Sequence, residues 1–393
     1  MLIGLCGKPS VGKSSFFKAA TLAEAAIASY PFTTLKSQEG IGFVRVECAD
    51  KQFNVQCTPR FGYCINHTRF VPVKILDVPG LIEGSHKGLG MGNQFLSDLN
   101  EADALIHIID ISGSTNEKGE LVKPLSHDPI KDVEFLENEL DMWYYQIMKK
   151  KFEVFAKTTK ENQNIKKAFS MQLSGLRVTE DMVEKSIKKL NLLHHPKEWN
   201  EDDLKSLSKE LRKLSKPMII AANKIDVEGS EFNLKRLKEK YKDYEIIPCS
   251  ADAELALKEA AKNNLIKYVP GSNSFEIIGN LSDKQKNALE FIKKNVLLKY
   301  NSTGVQDVID YTIFNLLKYI AIFPGGVNKL QDSEGRTMPD CFLLKENSTA
   351  LDFAYAIHTD LGKNFIRAIN VKARQTIGKD YKLKNLDVIE IIT

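Results

Sequence analysis

The sequence has no long apolar run. No stretch approaches the roughly 20 apolar residues that a membrane-spanning helix needs, and the first apolar run, Met1–Cys6, is too short for the core of a signal peptide. Cysteine is scarce as well, with 6 irregularly spaced residues in 393, which excludes a disulfide-stabilised scaffold. We therefore expect a reduced, cytoplasmic protein with no membrane segment.

Neither positive nor negative charge predominates in the sequence. Lys plus Arg number 55 against 51 Asp plus Glu, a net charge of +4 that is too small to identify a nucleic-acid-binding protein. Gly (23) and Pro (13) are few, and 43% of residues are hydrophobic, which excludes long disordered or collagen-like stretches. The length of 393 residues predicts two or three globular domains.

Short apolar segments alternate with helical patterns, which predicts a parallel α/β sheet. The predicted strands are Leu2–Cys6, Val71–Leu76, Ala104–Ile109, Pro217–Ala221 and Glu245–Cys249. The gap of about a hundred residues after the third strand is too long for a crossover, so it predicts an inserted subdomain.

The insertion has the pattern of a helical hairpin. Its first helix is predicted by apolar residues three and four apart, namely Val133, Leu136, Leu140, Trp143, Ile147 and, further on, Val154. Asn200, followed by three acidic residues, predicts the start of the second helix, with Leu204, Leu207, Leu211 and Leu214 as its apolar positions. We interpret the stripe as packing within one chain and expect a monomer.

A phosphate-binding loop follows the first strand. Residues Gly7–Ser14 read GKPSVGKS and match GxxxxGK[ST] between a predicted strand and a predicted helix. Backbone N–H groups of such a loop surround the β-phosphate, while Lys13 would contact the β and γ oxygens and the Ser14 hydroxyl would bind Mg²⁺. The nucleotide-binding residues predicted here are Gly7, Lys8, Pro9, Ser10, Val11, Gly12, Lys13, Ser14 and Ser15.

Three further motifs stand at the ends of predicted strands, where ligands bind in open α/β sheets. In Asp77-Val78-Pro79-Gly80, Asp77 would hold Mg²⁺ and the Gly80 N–H would contact the γ-phosphate. In Asn223-Lys224-Ile225-Asp226, the Asp226 carboxylate can accept hydrogen bonds from guanine N1–H and its amino group, a donor pair that adenine lacks.

The other residues of these motifs have supporting roles. Asn223 would tie the loops together, and the stem of Lys224 would cover the base. The backbone N–H groups of Ser250 and Ala251 would face guanine O6. Together with the phosphate loop, these motifs predict a guanine-nucleotide site.

The chain resembles the Obg-like branch of GTPases, close to the YchF and DRG proteins. The resemblance rests on YPFTT at Tyr30–Thr34 and on DVPGLIEGSHKGLGMGNQFL at Asp77–Leu96. It implies that Thr34, or alternatively Thr33, is the switch threonine that closes on Mg²⁺. It also implies a helical insertion and a C-terminal TGS domain, a small β-grasp module.

We therefore expect a doubly wound P-loop GTPase sheet with an inserted helical hairpin and a C-terminal TGS-like β-grasp domain. The predicted domains are a GTP-binding domain at 1–115 and 216–272, the insertion at 116–215, a helical connector at 273–319 and the TGS-like domain at 320–393. Two residues qualify the resemblance. Relatives usually have Asn at the position of Ser10, and in some of them that Asn helps to hold a potassium ion. YchF proteins that accept ATP often have a changed NKxD motif, whereas this chain keeps its Asp226.

Leu81 stands where Ras-like enzymes place the Gln that orients the attacking water, so intrinsic hydrolysis should be slow. His86 could position that water instead, although a surface histidine is the alternative. Lys13 and Gly80 complete the predicted catalytic groups. We predict a Mg²⁺-dependent, slowly hydrolysing GTP switch linked to the ribosome or RNA. The alternatives are an ATPase of the YchF type and an RNA-binding scaffold that uses nucleotide structurally.

Two other features allow more than one interpretation. Cys48, Cys57, Cys64 and His67 could form a Cys₃His zinc site, although we favour free cysteines on a buried strand, because the spacing is looser than in common zinc modules. Lys149–Lys167 has seven Lys against two Glu, and Lys363–Lys384 has seven basic residues against one Asp. Such segments are either solvated faces or contacts to RNA phosphates.

Overall fold

The computed structural model describes residues 1–21, 39–78, 99–158, 163–192, 196–327 and 329–393. Their main element is a seven-stranded sheet with the order β2-β4-β1-β5-β6-β7, in which β3 also pairs with β4. Its strands are β1 Leu2–Cys6, β2 Glu39–Glu47, β3 Tyr63–Ile65, β4 Thr68–Asp77, β5 Ala104–Asp110, β6 Met218–Asn223 and β7 Ile246–Pro248.

The five predicted strands are confirmed, and they form the parallel part of the sheet, from β4 through β1, β5 and β6 to β7. The structure adds β2 and β3, which both pair antiparallel with β4. The central strands are buried on both faces, with β5 and β6 buried at every position. Their near-continuous apolar sequences are typical of parallel strands covered by helices on both sides.

Five helices of seven or more residues lie in the described parts of the sheet domain and of the connector that follows it. They are α1 Lys13–Thr21, α6 Ser230–Lys240, α7 Ala251–Lys262, α8 Asp283–Ile292 and α9 Val305–Tyr311. Two short strands, β8 Ile266–Tyr268 and β9 Phe275–Ile277, form a separate antiparallel pair. Helix α1 follows the phosphate loop, as predicted, and begins at Lys13. No helix of the described residues is long and apolar enough to cross a membrane.

The insertion is helical, as predicted, but its described residues form four α-helices where the predicted hairpin has two. The helices are α2 Pro129–Thr158, α3 Gln163–Gln172, α4 Glu180–Lys189 and α5 Glu201–Ser215. The two predicted helices are present as α2 and α5, which pack on each other. Asn200 caps α5 as expected, because its side chain accepts hydrogen bonds from the backbone N–H groups of Asp202 and Asp203.

The predicted apolar stripe on α2 does not form one seam. Val133, Leu136 and Leu140 pack in clusters with residues of the sheet domain, whereas the insertion's own core buries Tyr144, Tyr145, Met148 and Phe152 further along. The buried face shifts around the helix because the buried residues from Leu140 to Phe152 recur every four residues, whereas an α-helix has 3.6 residues per turn. Trp143 and Ile147 are half-buried beside that core, Leu214 of α5 is exposed, and the side chain of Val154 lies outside the described residues.

The C-terminal part forms a five-stranded sheet with the order β11-β10-β14-β12-β13. These strands are β10 Tyr319–Pro324, β11 Phe342–Lys345, β12 Arg367–Asn370, β13 Gln375–Ile377 and β14 Val388–Ile392, with helices α10 Ala350–Ile357 and α11 Thr359–Lys363. Helix α10 buries Phe353 in the same cluster as Ile322 and Ile389 of the sheet. A helix packed on a small mixed sheet is the β-grasp arrangement that the sequence predicted.

His107 of β5 gives the fold a predictable response to acid. Burial lowers the pKa of His107 to about 3, and its buried Nδ1 has no hydrogen-bond partner among the described residues. The unfolded chain takes up this proton near pH 6.5, so the free energy of unfolding should fall as the pH drops from about 6.5 towards 3. The decline should be roughly 1.4 kcal/mol per pH unit in the middle of that window.

Urea unfolding at several pH values tests this expectation. His107→Leu should make the decline shallower, because the unfolded chain then gains no proton at this position. His358→Gln removes an exposed histidine and should retain the steep decline. Equal slopes for His107→Leu and the wild-type chain would contradict the assignment.

Candidate nucleotide site

The phosphate loop joins β1 to α1, as predicted, and two of its glycines are required by close contacts. A Cβ on Gly7 would lie 2.4 Å from the backbone oxygen of Ile108. Gly12 has φ +90°, and a Cβ there would lie 2.2 Å from Nδ2 of Asn223, so both conformation and space exclude a side chain. The loop therefore packs tightly against β5 and the end of β6, with helix α1 starting at Lys13.

Lys13 forms an ion pair with Asp77, the last residue of β4. These are the two charged groups that the sequence assigned to the phosphates and to Mg²⁺, and the fold brings them together because Leu5 of β1 is in register with Asp77. Ser14 is exposed on the first turn of α1. The Ser14 hydroxyl and the Asp77 carboxylate are hard oxygen donors of the kind that Mg²⁺ takes from proteins.

Asn223 connects the phosphate loop to the loop after β7. Its Nδ2 donates to the backbone oxygen of Val11 at 2.9 Å, and its Oδ1 accepts from the backbone N–H of Ala251 at 3.0 Å. Asn223 is buried, so these two bonds are shielded from water and fix the relative positions of the loops. This is the tying contact that the sequence predicted.

Asp226 and Ser250 border a cavity of about 240 Å³. Its apolar lining includes three residues of α8 in the connector, Ala288, Phe291 and Ile292. Phe291 is 49% exposed, so its side chain is accessible to a flat ligand. No sequence motif marks the connector, so its part in the site was not predicted.

Ser250 and Ala251 organise the loop after β7 in a way that the sequence did not show. Their backbone N–H groups donate to the oxygen of Thr303 and to Oδ1 of Asn223, and the Ser250 side chain caps helix α7 by accepting from the N–H of Ala253. Both N–H groups already have acceptors within the protein in this structure, so their predicted contact with guanine O6 would have to replace or share these bonds.

Lys224 binds a polar cluster at the end of β5 that the sequence analysis missed. Its Nζ lies 3.0 Å from Oδ2 of the fully buried Asp110, which also accepts from the hydroxyl of Thr115 at 2.9 Å. Burial alone would raise the pKa of Asp110, but hydrogen bonds from Ser112 and Lys224 lower it below its usual value. Asp110 is therefore a carboxylate that holds Lys224 in place, and its position at a strand end was the signal available in the sequence.

Lys8 lies in the phosphate loop, but its side chain points away from the side of the loop that would bind phosphate. Its Nζ contacts the oxygen of Thr115 and Oδ1 of Asp132, both at 2.9 Å, and His127 contacts the same carboxylate at 2.7 Å. All of these groups are buried. Lys8 thus joins the phosphate loop to the first helix of the insertion, and only its backbone remains a candidate for nucleotide contact.

Four predicted residues lie outside the described residues: Thr34 with its alternative Thr33, Gly80 at the end of the Asp77 motif, and His86 after that motif. Leu81 lies there too. Their assignments stay predictions.

The loops at the carboxyl edge of the parallel sheet define a P-loop nucleotide-binding protein of the GTPase class. Three family models match the chain. Residues 2–142 match the 50S ribosome-binding GTPase family, residues 221–326 match the family described as "Obg-like GTPase YGR210-like, G4 motif-containing domain", and residues 329–393 match the TGS domain.

Whole-chain relatives agree with these matches. An uncharacterized GTP-binding protein of Methanocaldococcus jannaschii is 45% identical over 100% of this chain and 99% of its own. The crystal structure of a GTP-binding protein from Pyrococcus horikoshii is 38% identical, covers 100% of both chains and has a TM-score of 0.77. The ribosome-binding ATPase YchF of Buchnera aphidicola is 26% identical over 99% of this chain and 98% of its own. The chain belongs to the Obg-like/YchF family of GTPases.

Proposed function

We propose that this protein is a Mg²⁺-dependent GTP switch that hydrolyses GTP slowly and communicates its nucleotide state to the ribosome or to RNA. The observation that carries the choice of base is the position of Asp226, whose carboxylate borders the cavity beside Ser250. A carboxylate there can accept from both guanine donors, whereas adenine offers no such pair. The flat wall that Phe291 provides suits a stacked base.

Competition binding tests this choice against the ATPase alternative, which the name of the Buchnera relative, a ribosome-binding ATPase, raises. A fluorescent GTP analogue bound to the full chain should be displaced by GTP and GDP at far lower concentrations than by ATP. Two charge-assisted hydrogen bonds of about 1.5–3 kcal/mol each predict at least a hundredfold preference. Equal displacement by ATP would reject the guanine assignment and favour the ATPase.

Mg²⁺ would be held by Ser14 and Asp77, with Thr34 as the switch ligand implied by the family. The bound ion would neutralise charge on the β and γ oxygens. Lys13, which now pairs with Asp77, would bind the same oxygens once nucleotide is present. Gly80 would contact the γ-phosphate and His86 would position water, and the absence of Gln at Leu81 makes slow hydrolysis the expected outcome.

The two appended parts are proposed to carry the partner contacts. The 50S ribosome-binding description of the matched family and the name of the Buchnera relative support a ribosomal partner. The proposed domains are a GTP-binding domain (1–115 and 216–272), an insertion (116–215), a connector (273–319) and a TGS-like domain (320–393). Strand β10, Tyr319–Pro324, pairs with β11 and β14, which supports starting the last domain before the TGS match at residue 329.

The basic segment of the TGS-like domain gives this proposal a direct test. Arg374, Lys379 and Lys382 are exposed, whereas Lys372 is half-buried, binds the backbone oxygen of Leu386 and has its pKa lowered by burial. Lys372, although part of the basic segment Lys363–Lys384, is therefore better treated as part of the fold. Replacing the three exposed residues with Ala should weaken ribosome association and make it less salt-dependent, by a slope of about 0.7 to 0.9 per lost phosphate contact.

Co-sedimentation with ribosomes over a range of salt concentrations measures both the strength of association and its salt dependence. The matched control replaces three exposed lysines of the sheet domain and connector, Lys235, Lys238 and Lys284. We expect the control to retain wild-type association and both variants to retain intrinsic GTP hydrolysis. An unchanged salt slope in the first variant would assign the basic segment to a solvated face.

A further inference from the structure

Three cysteines and one aspartate meet at the β2–β4 edge of the large sheet. Sγ of Cys48 lies 3.5 Å from Sγ of Cys57, and Sγ of Cys64 lies 3.9 Å from Oδ2 of Asp50. One ligand atom from each of these four residues lies within 4.8 Å of all the others. A tetrahedral zinc ion with Zn–S bonds of about 2.3 Å separates its sulfurs by about 3.8 Å, so the cluster has the size of a mononuclear site.

The cluster differs from both interpretations of the sequence. The cysteines are free thiols but are not scattered along a buried strand, because they come from the end of β2, the following loop and β3. The fourth residue of the cluster is Asp50 instead of His67. Nδ1 of His67 lies 2.9 Å from Oδ1 of Asp50, which places the imidazole behind the carboxylate, as groups that orient metal ligands are placed.

The surroundings of the cluster suit a closed, anionic ligand set. Cys48, Asp50 and Cys57 are buried, and the backbone N–H of Cys57 donates to Oδ2 of Asp50 at 2.9 Å. Arg69, directly across from Cys64 in the β3–β4 pair, is fully buried, and its Nε has no hydrogen-bond partner among the described residues. A buried guanidinium needs negative charge nearby. Asp340 interacts electrostatically with Arg69, and zinc-bound thiolates would add to this negative charge.

The cluster also lies where the C-terminal domain contacts the sheet domain. Thr58, the residue after Cys57, donates its backbone N–H to the oxygen of Thr337 at 2.9 Å and accepts from the N–H of Thr337 at 2.7 Å. Arg60 donates its N–H to the oxygen of Pro339 at 2.9 Å, and Arg69 donates its side chain to the same oxygen at 2.5 Å. The loop that carries Cys57 is thus a docking surface for residues 337–339.

We propose that Cys48, Asp50, Cys57 and Cys64 bind a structural Zn²⁺ ion that fixes this docking loop. Four protein ligands leave no open position for substrate, which assigns the ion to structure instead of catalysis. The ion joins the end of β2 to the loop and to β3, and so holds Thr58 and Arg60 in register with the C-terminal domain. Its binding free energy would stabilise this interface directly.

The metal content of the full chain, purified without added chelator from zinc-supplemented cells, tests the proposal. We expect about one zinc per chain by mass spectrometry of the metal, and a thiolate-to-metal absorption band when Co²⁺ replaces it. Cys57→Ser and Asp50→Asn should each lower the metal content by more than half. Cys341→Ser, which removes a cysteine outside the cluster, should retain it.

Chelation of the wild-type chain provides a readout that does not depend on whether a variant folds. Zinc removal should increase hydrogen exchange in residues 54–62 and 337–339, while GTP affinity stays at its wild-type value. Three results would each overturn the proposal: a wild-type chain that holds no zinc and takes up no Co²⁺, a Cys57→Ser chain that holds as much zinc as the wild type, or a native mass that shows Cys48 and Cys57 joined by a disulfide.

Discussion

Lys13→Ala is expected to weaken GTP binding by at least about a hundredfold. Lys13 supplies the side-chain charge that the loop directs at the phosphates, and losing two charge-assisted hydrogen bonds costs roughly 3 to 6 kcal/mol. Lys13 would exchange its ion pair with Asp77 for the phosphate oxygens while Asp77 binds Mg²⁺, so the expected loss counts the phosphate contacts alone. Titration calorimetry with GTP and with GDP measures the effect, which should be larger for GTP because its γ-phosphate contact is lost as well.

Lys18→Ala is the matched control for this substitution. Lys18 lies on the same helix, α1, and is exposed in its last turn, so we expect wild-type affinity. Chemical unfolding of both variants without nucleotide separates a loss of binding from a loss of fold. Wild-type GTP affinity in Lys13→Ala would show that the phosphates bind elsewhere.

The parts of the site that the sequence predicted are those whose chemistry and position are local. Gly7, Gly12 and Lys13 are fixed by one strand-loop-helix unit, and Asp77 and Asn223 each end a strand. Since the carboxyl ends of parallel strands share one edge, strand prediction alone brings these residues together. The five parallel strands were predictable for the same reason, because each is a short, continuous apolar segment.

The parts that the sequence analysis missed depend on contacts between distant segments. The pairing of Lys8 with Asp132 and of Lys224 with Asp110 joins residues more than a hundred positions apart, and no spacing rule connects them. The wall of the cavity that α8 provides depends on how the connector folds back over the sheet. The cysteine cluster is an intermediate case. The three thiols were noted in the sequence, but β2 and β3, the strands before and after the loop that carries Cys57, were not predicted.

Asp226→Asn is expected to lower GTP affinity by roughly 2 to 4 kcal/mol, or about thirtyfold to a thousandfold. The amide keeps one acceptor, but its –NH₂ replaces the other and faces the amino group of guanine, donor against donor. Xanthosine triphosphate carries a carbonyl oxygen at that position of the ring. It should therefore bind the variant better than GTP does, while the wild-type chain should prefer GTP.

Asp252→Asn provides the comparison within the same site, because Asp252 borders the same cavity and is exposed. If base selection belongs to Asp226, Asp252→Asn should change GTP affinity by no more than the few tenths of a kcal/mol typical of a surface substitution. Competition between GTP and xanthosine triphosphate on all three chains gives the full comparison. Only the side chain that faces the amino group of guanine can change the preference from GTP to xanthosine triphosphate when it is substituted. A change of preference in Asp252→Asn, or an unchanged preference in Asp226→Asn, would therefore place the guanine contact on a different carboxylate.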